Sequence, residues 1–384
     1  MRSFVLILTL FLFLWSGCGD NHTEAERKLL RQCETWIVEN HLTPVEYVTG
    51  LYDRCDVVIL GEYHFIRHDQ ELVGDLIPAL HDRGVNVLAI EFARAEDQPL
   101  IDSLLSAAEW NPCLARLIQF QYSPIWAAQG YLDIYHAAWS LNRSLTPDVE
   151  PFRILGVGCS PDLSYIKTSE DMQVDSLRRL VWGGCGEKDW AQVVLDQVNA
   201  GRKVLAYCGM HHAFSEYMHP IVDADGKFIR VEDSRFGRYL YDVLDKRVAT
   251  VVLHLPWNDD SGFNGPLVRP VAGAIDEVME EVTPGPVGFD VKNTPFGQLP
   301  AGNTVYRTGH ANLKLADFCD GWIWQRPFSE YEVTPFIDTF INSSNIDEAR
   351  RQAFDPFYRN ATLEQYVLHL KRMFDREQRN LSEL

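Results

Sequence analysis

One alternation governs residues 56–255: a short apolar run, a stretch with helical spacing, then another apolar run. The runs fall at 56–60, 85–90, 152–157, 203–208 and 248–255, and the stretches between include HDQELVGDLIPALHDRG, AQGYLDIYHAAWSLN and EKDWAQVVLDQVNAG. Strands separated by helices are joined by crossovers, and a crossover returns the chain to a parallel neighbour. The pattern predicts an α/β fold: a mostly parallel central sheet with helices on both faces. At 384 residues the chain is long enough for that core with insertions. A helical, aromatic-rich insertion follows the second strand at about 98–142, read as a lid over the sheet edge. A Gly, Pro and Asn-rich insertion occupies about 256–320, and a helical C-terminal segment spans 345–384, with Leu363, Tyr366, Leu368, Leu370 and Met373 available to pack. The α/β domain itself is expected at 55–344, after a leader with helices at 18–54.

The N-terminus reads MRSFVLILTLFLFLWSGCGDN: one basic residue, an apolar core from Phe4 to Trp15, then small residues before Cys18. That is the layout of an export signal, and its apolar run is short for a membrane span of about 20 residues. Residues 1–17 are expected to be a lipoprotein-type signal peptide, with Cys18 lipidated and the protein anchored to a membrane of the bacterial cell envelope. Trp15 stands where a bacterial lipobox usually has a leucine-like residue. The formal charge of -19 argues against nucleic acid as a partner. Of eight cysteines, those besides Cys18 are scattered without a C-x-x-C pair, so a cysteine zinc cluster is not expected; the exported setting permits disulfides without specifying them. The string DADGK at 223–227 resembles an EF-hand start but lacks the closing glutamate, and reads as a hairpin turn.

Ligands of open α/β sheets bind beyond the carboxyl ends of the strands. At those exits the chain writes GEYH (Gly61, Glu62, Tyr63, His64), Glu91 after VNVLAI, GMHH (Gly209 to His212), and His254 within TVVLHLPW. Gly156 and Gly158 end the third run and leave room for close backbone approach. Glu91 is the sharpest signal, because a carboxylate directly after a buried apolar run is costly to desolvate unless it is paired. Glu62, His64, Glu91, His212 and His254 are therefore the candidate catalytic residues. Two chemistries stay open: His64, Glu91 and His212 as ligands of Zn, Mn, Fe or Co that activate water, or a carboxylate-held histidine acting on water without metal. The chain has no G-x-S-x-G elbow, H-E-x-x-H helix or P-loop.

VVILGEYHFIRHDQELVGDLIPAL followed by VNVLAIEF resembles the opening of the ChaN-like proteins and, more distantly, the erythromycin esterases. The paired G-x-x-H motifs resemble the TIKI, TraB and GumN branch of the same superfamily. The esterase branch implies hydrolysis with His64, Glu62 and Glu91, although that branch has two residues where only Tyr63 separates Glu62 from His64 here. The TIKI branch implies a metal-dependent peptidase whose histidines map to His64 and His212. The ChaN branch implies a haem-binding lipoprotein of iron uptake; haem needs an axial Tyr or His, which Tyr63, Tyr207 or His64 could supply. The leading expectation is a hydrolase of a small molecule or peptide; haem capture is its rival.

Overall fold

In the computed structural model, residues 22–182, 186–223, 225–282, 285–302 and 304–384 are described. The expected signal segment and Cys18 lie outside them. Two capped helices lead in: α1 (Glu24–Asn40) and α2 (Pro44–Leu51) each start at a threonine, Thr23 or Thr43, that exchanges hydrogen bonds with a glutamate three residues on, satisfying otherwise orphaned amides. The sheet strands follow as β1 (Val57–Glu62), β2 (Val87–Arg94), β3 (Arg153–Gly158) and β4 (Val204–Gly209), then a hairpin of β5 (His219–Val222) and β6 (Phe228–Glu232), then β7 (Val248–Leu253). The expected DADGK turn joins β5 to β6.

The central sheet has seven strands. Pairings β7–β1, β1–β4, β4–β2 and β2–β3 are all parallel. The 256–320 insertion, read as loops with short strands, carries three of them. After a two-residue ribbon, β8 (Trp257–Asn258) with β9 (Leu267–Val268), it supplies β10 (Val287–Asp290), which pairs antiparallel with β11 (Gly321–Trp324), and β11 extends the sheet beside β7.

Alternate strand residues bury on opposite faces, as the two-residue period requires. Val58, Leu60, Leu205 and Tyr207 pack against α3 (Arg67–Asp82) and the insertion helices α4 (Gln98–Ser106), α5 (Pro112–Tyr122) and α6 (Gln129–Ser144). Val57, Ile59, Val204 and Ala206 pack on the other face. There α8 (Glu187–Asn199), preceded by short α7 (Asp175–Val181), lies beside α10 (Phe236–Leu244), while one-turn α9 (Met210–Ala213) follows β4 directly. The helical insertion is thus core rather than lid: Tyr131, Tyr135 and Ala138 of α6 are almost wholly buried because that helix seals the sheet face together with α3. Helices α11 (Ala274–Val282), α12 (Leu315–Phe318), α13 (Ile346–Arg351) and α14 (Leu363–Ser382) complete the molecule. On α14 the packed residues are Tyr366, Leu370, Phe374 and Leu381, whereas Leu368 is exposed. No helix among the described residues is long and apolar enough to cross a membrane.

Candidate active site

The chain leaves β1 into α3 on one face of the sheet and leaves its neighbour β4 into α9 and α10 on the other, so the two connections part to opposite faces and open a crevice at the carboxyl ends. Glu62 closes β1 and Gly209 closes β4, and the two residues are register partners. Glu62 has the parity of Val58 and Leu60 and points into the α3/α6 layer. Burying a carboxylate there costs several kcal/mol unless donors meet it, and three do. His64 Nδ1 lies 2.9 Å from Glu62 Oε1, the Tyr131 hydroxyl donates to the same oxygen at 2.7 Å, and the Tyr207 hydroxyl donates to Oε2.

Glu91 belongs to the opposite parity and reaches the crevice where β2 slips register with β3 between Ile90 and Arg94. It accepts from the Tyr122 hydroxyl at 3.1 Å and from the Gly209 amide at 2.8 Å. Gly209 is required at this point: a Cβ would stand 2.7 Å from His64 Cε1, 3.1 Å from its Nε2 and 3.5 Å from Glu91 Oε2. His64 therefore lies over the end of β4, with Nδ1 held by Glu62. Its ring meets the edge of Trp126 at a centroid distance of 4.7 Å. Phe65, the next residue, sits at φ 71°, strained for a bulky side chain. Packing against Trp126, Tyr131 and Phe374 holds it there and fixes the angle at which His64 leaves β1.

His212, on α9, approaches from the other side. Its Nε2 is 3.7 Å from Glu91 Oε1 and its Nδ1 is 3.1 Å from Glu187 Oε2, the latter without hydrogen-bond alignment. Glu187, at the start of α8, also accepts from Arg235 at 2.6 Å and from the Phe236 amide at 2.7 Å. Burial works to raise the Glu187 pKa, but His212, Arg235 and the amide outweigh it and bring it down to about 2. Burial likewise pulls both histidines down, yet their carboxylates win. His64 is raised by its bond to Glu62 and the charges of Glu91 and Glu62, and His212 by Glu187 and Glu91.

Four sequence candidates, Glu62, His64, Glu91 and His212, thus meet in one crevice. The structure does not bring His254 to it. That imidazole is buried with Nε2 2.9 Å from Asp276 Oδ1, and its Nδ1 accepts from the Trp322 indole at 3.2 Å, so both ring nitrogens are engaged in the core. The metal set His64, Glu91 and His212 does not close either, since no group of three ligating side chains suited to a metal is found among the described residues. Both Glu91 oxygens already accept hydrogen bonds, and His64 Nδ1 is committed to Glu62. Tyr207 is buried on Glu62, and the Tyr63 hydroxyl donates to Glu377 at 2.9 Å, so each tyrosine offered as a haem ligand has another partner. Of the cysteines, Cys159 is disulfide-bonded, while Cys33, Cys55, Cys113, Cys208 and Cys319 are free.

Tyr122, Tyr131 and Glu187 were not visible as site residues in the sequence, and Tyr207 was expected only as a haem ligand, not as a partner of Glu62. The one signal for Tyr122 and Tyr131 was the density of aromatics in 98–142, which reads equally well as packing.

Neither a protein-family model nor a curated protein sequence matches the chain. Among solved structures, a succinoglycan biosynthesis protein aligns over 79% of this chain and 98% of its own, at 11% identity and TM-score 0.50. An erythromycin esterase variant in its open conformation aligns over 81% of this chain and 98% of its own, at 10% identity and TM-score 0.46. ChaN of Campylobacter jejuni, described with cofacially bound heme, aligns over 56% of this chain and 88% of its own, at 13% identity and TM-score 0.33. The chain shares its fold with the succinoglycan biosynthesis protein.

Proposed function

We propose that this protein is a hydrolase in which His64 is the general base. The observation that carries the reading is the Glu62–His64 pair: a carboxylate held by two tyrosine hydroxyls binds Nδ1, which leaves Nε2 facing the crevice as the atom that takes a proton from water. This is the base-and-orienter arrangement of water-activating sites. His212, held by Glu187 and made more basic by it, supplies a cation on the far side of Glu91, suited to stabilise an oxyanion and to protonate a leaving oxygen. Glu91, fixed by Tyr122 and the Gly209 amide, lies between the histidines and can orient the attacking water. No step is routed through a metal.

The test is an ester, lactone and peptide screen followed by single substitutions. His64→Ala and His212→Ala should each lower kcat on any accepted substrate by roughly 10²–10⁴-fold. Full activity in His64→Ala would overturn the assignment. Export and anchoring through Cys18 belong to the same reading and rest on the N-terminal sequence; mass spectrometry of the mature N-terminus should find a diacylglyceryl adduct on Cys18, and an unmodified terminus would remove the anchor.

A further inference from the structure

Two cavities meet at the histidines. The larger, about 550 Å³, is lined by His64, Glu91 and His212, by four arginines and by Trp126, Trp182 and Trp190. The smaller, about 280 Å³, shares His64 and His212 and is closed by Tyr63, Leu255, Pro256 and Tyr306. The proton-handling groups therefore stand at a seam, where a substrate's two halves can lie on either side.

The larger cavity is also an electrostatic exception in a chain of formal charge -19. Arg178, Arg179, Arg230 and Arg235 line it together with four carboxylates, Glu91, Asp175, Glu187 and Glu232, so formal charge is balanced there rather than strongly negative. The arginines are only partly satisfied. Arg235 reaches Glu187 at 2.6 Å and Arg230 reaches Glu232 at 2.9 Å, but Arg178 comes no nearer to Asp175 than 3.8 Å. The Nε–H groups of Arg178, Arg230 and Arg235 are each buried with no hydrogen-bond partner among the described residues. Arg178 and Arg230 keep 39% and 29% of their side-chain surface exposed where they line the cavity, and guanidinium groups favour the oxyanions of carboxylate and phosphate.

We propose that the substrate is an ester with an aromatic or similarly flat apolar acid half that also carries an oxyanion. Its charge is bound by Arg178 and Arg230, and its apolar body lies among Trp126, Trp182 and Trp190. The proposal rests on the hydrolase reading and names its substrate class. The ester carbonyl then sits at the seam and the alcohol half enters the smaller cavity. Water adds to the carbonyl carbon as its proton passes to His64 Nε2, the carbon–oxygen bond breaks, and a proton from His212 goes to the leaving oxygen. The products are an acid and an alcohol.

The subsite can be tested apart from hydrolysis, because three tryptophans line it. Tryptophan fluorescence of the full-length protein is titrated with naphthoate, naphthyl phosphate and neutral naphthamide. At least one anion should bind roughly tenfold tighter than the amide, with the preference shrinking as salt rises; the two anions decide between carboxylate and phosphate. Arg178→Gln and Arg230→Gln should each remove most of that preference and leave naphthamide binding unchanged, which also reports an intact cavity. Arg178→Lys should keep it, and His64→Ala should still prefer the anion over the amide while losing hydrolysis. Equal binding of amide and anions, no binding of any probe, or loss of the preference in Arg178→Lys to the same extent as in Arg178→Gln would each overturn the proposal. Anion binding without any ester hydrolysis would leave the oxyanion subsite standing and remove the hydrolase reading alone.

Discussion

Gly209 carries as much of the site as the side chains around it. Its φ is -57°, so alanine suits the backbone; only the space over β4 forbids a Cβ, which would meet His64 at 2.7 Å. Gly209→Ala should therefore leave the melting temperature nearly unchanged while kcat falls by about 10²-fold, the cost typical of an ångström's misplacement of a reacting group. His64 sets the pH dependence. Its pKa is raised above the usual histidine value of about 6.5, and the base must be neutral to work, so kcat/KM should rise with pH through an inflection above that value. Glu62→Gln removes the charge that raises it and should move the inflection down; an inflection that stays put would separate His64 from the observed base. Stability runs the other way. The stabilising contribution of protonated His64 is complete below its unfolded pKa and is lost as pH rises through the raised folded pKa.

The helix termini decide how firmly the two halves of the crevice are joined. Glu187 begins α8 yet binds Arg235 and the first amide of α10, so a single carboxylate ties two helices to His212. With a folded pKa of about 2, its contribution is present above the unfolded carboxylate value and is lost as pH falls through about 2. Glu187→Gln leaves Arg235 short of its partner and should destabilise the protein by about 3 kcal/mol in urea unfolding at neutral pH, with the difference shrinking toward pH 2. On the other side, α14 holds Phe65 in its strained conformation through the Phe374 ring, 4.9 Å away. Phe374→Ala should cost about 3 kcal/mol and lower kcat as well, because the residue after His64 is freed to relax; a stability loss with unchanged kcat would show that the strain does not aim His64.

Over the whole molecule the ligand geometry makes a prediction about cofactors. With no three-ligand group among the described residues, dialysis against a strong chelator should leave hydrolysis within about twofold of its starting value, whereas a metal-activated water would be lost with its ion. Activity abolished by chelation and restored by zinc or manganese would overturn the metal-free mechanism. Haemin titration checks the other cofactor: with Tyr63 on Glu377 and Tyr207 on Glu62, neither Tyr63→Phe nor Tyr207→Phe should change a Soret spectrum.

The five parallel strands and four of the crevice residues could be read from the chain because both signals are local. An apolar run followed by a glycine and a polar residue marks a strand and its exit within a few positions, and parallel sheets place their exits at one edge. Short strands were expected in the Gly- and Pro-rich insertion, but that residues 287–290 and 321–324 pair with each other and extend the central sheet was not legible, since short edge strands form by pairing with distant neighbours rather than by their own periodicity. Tyr131 and Tyr207 meet Glu62 across 69 and 145 residues, and no spacing rule reaches that far. His254 had the same local pattern as His64, a histidine at a strand end beside β1; what separates them is that Asp276 and Trp322 fold over the one and a cavity opens over the other. Sequence alone determined which residues leave the strands. Tertiary packing decided which of them face water, which face a partner, and that arginines from α7, β6 and the start of α10 line one cavity, because burial and charge pairing are properties of the assembled neighbourhood.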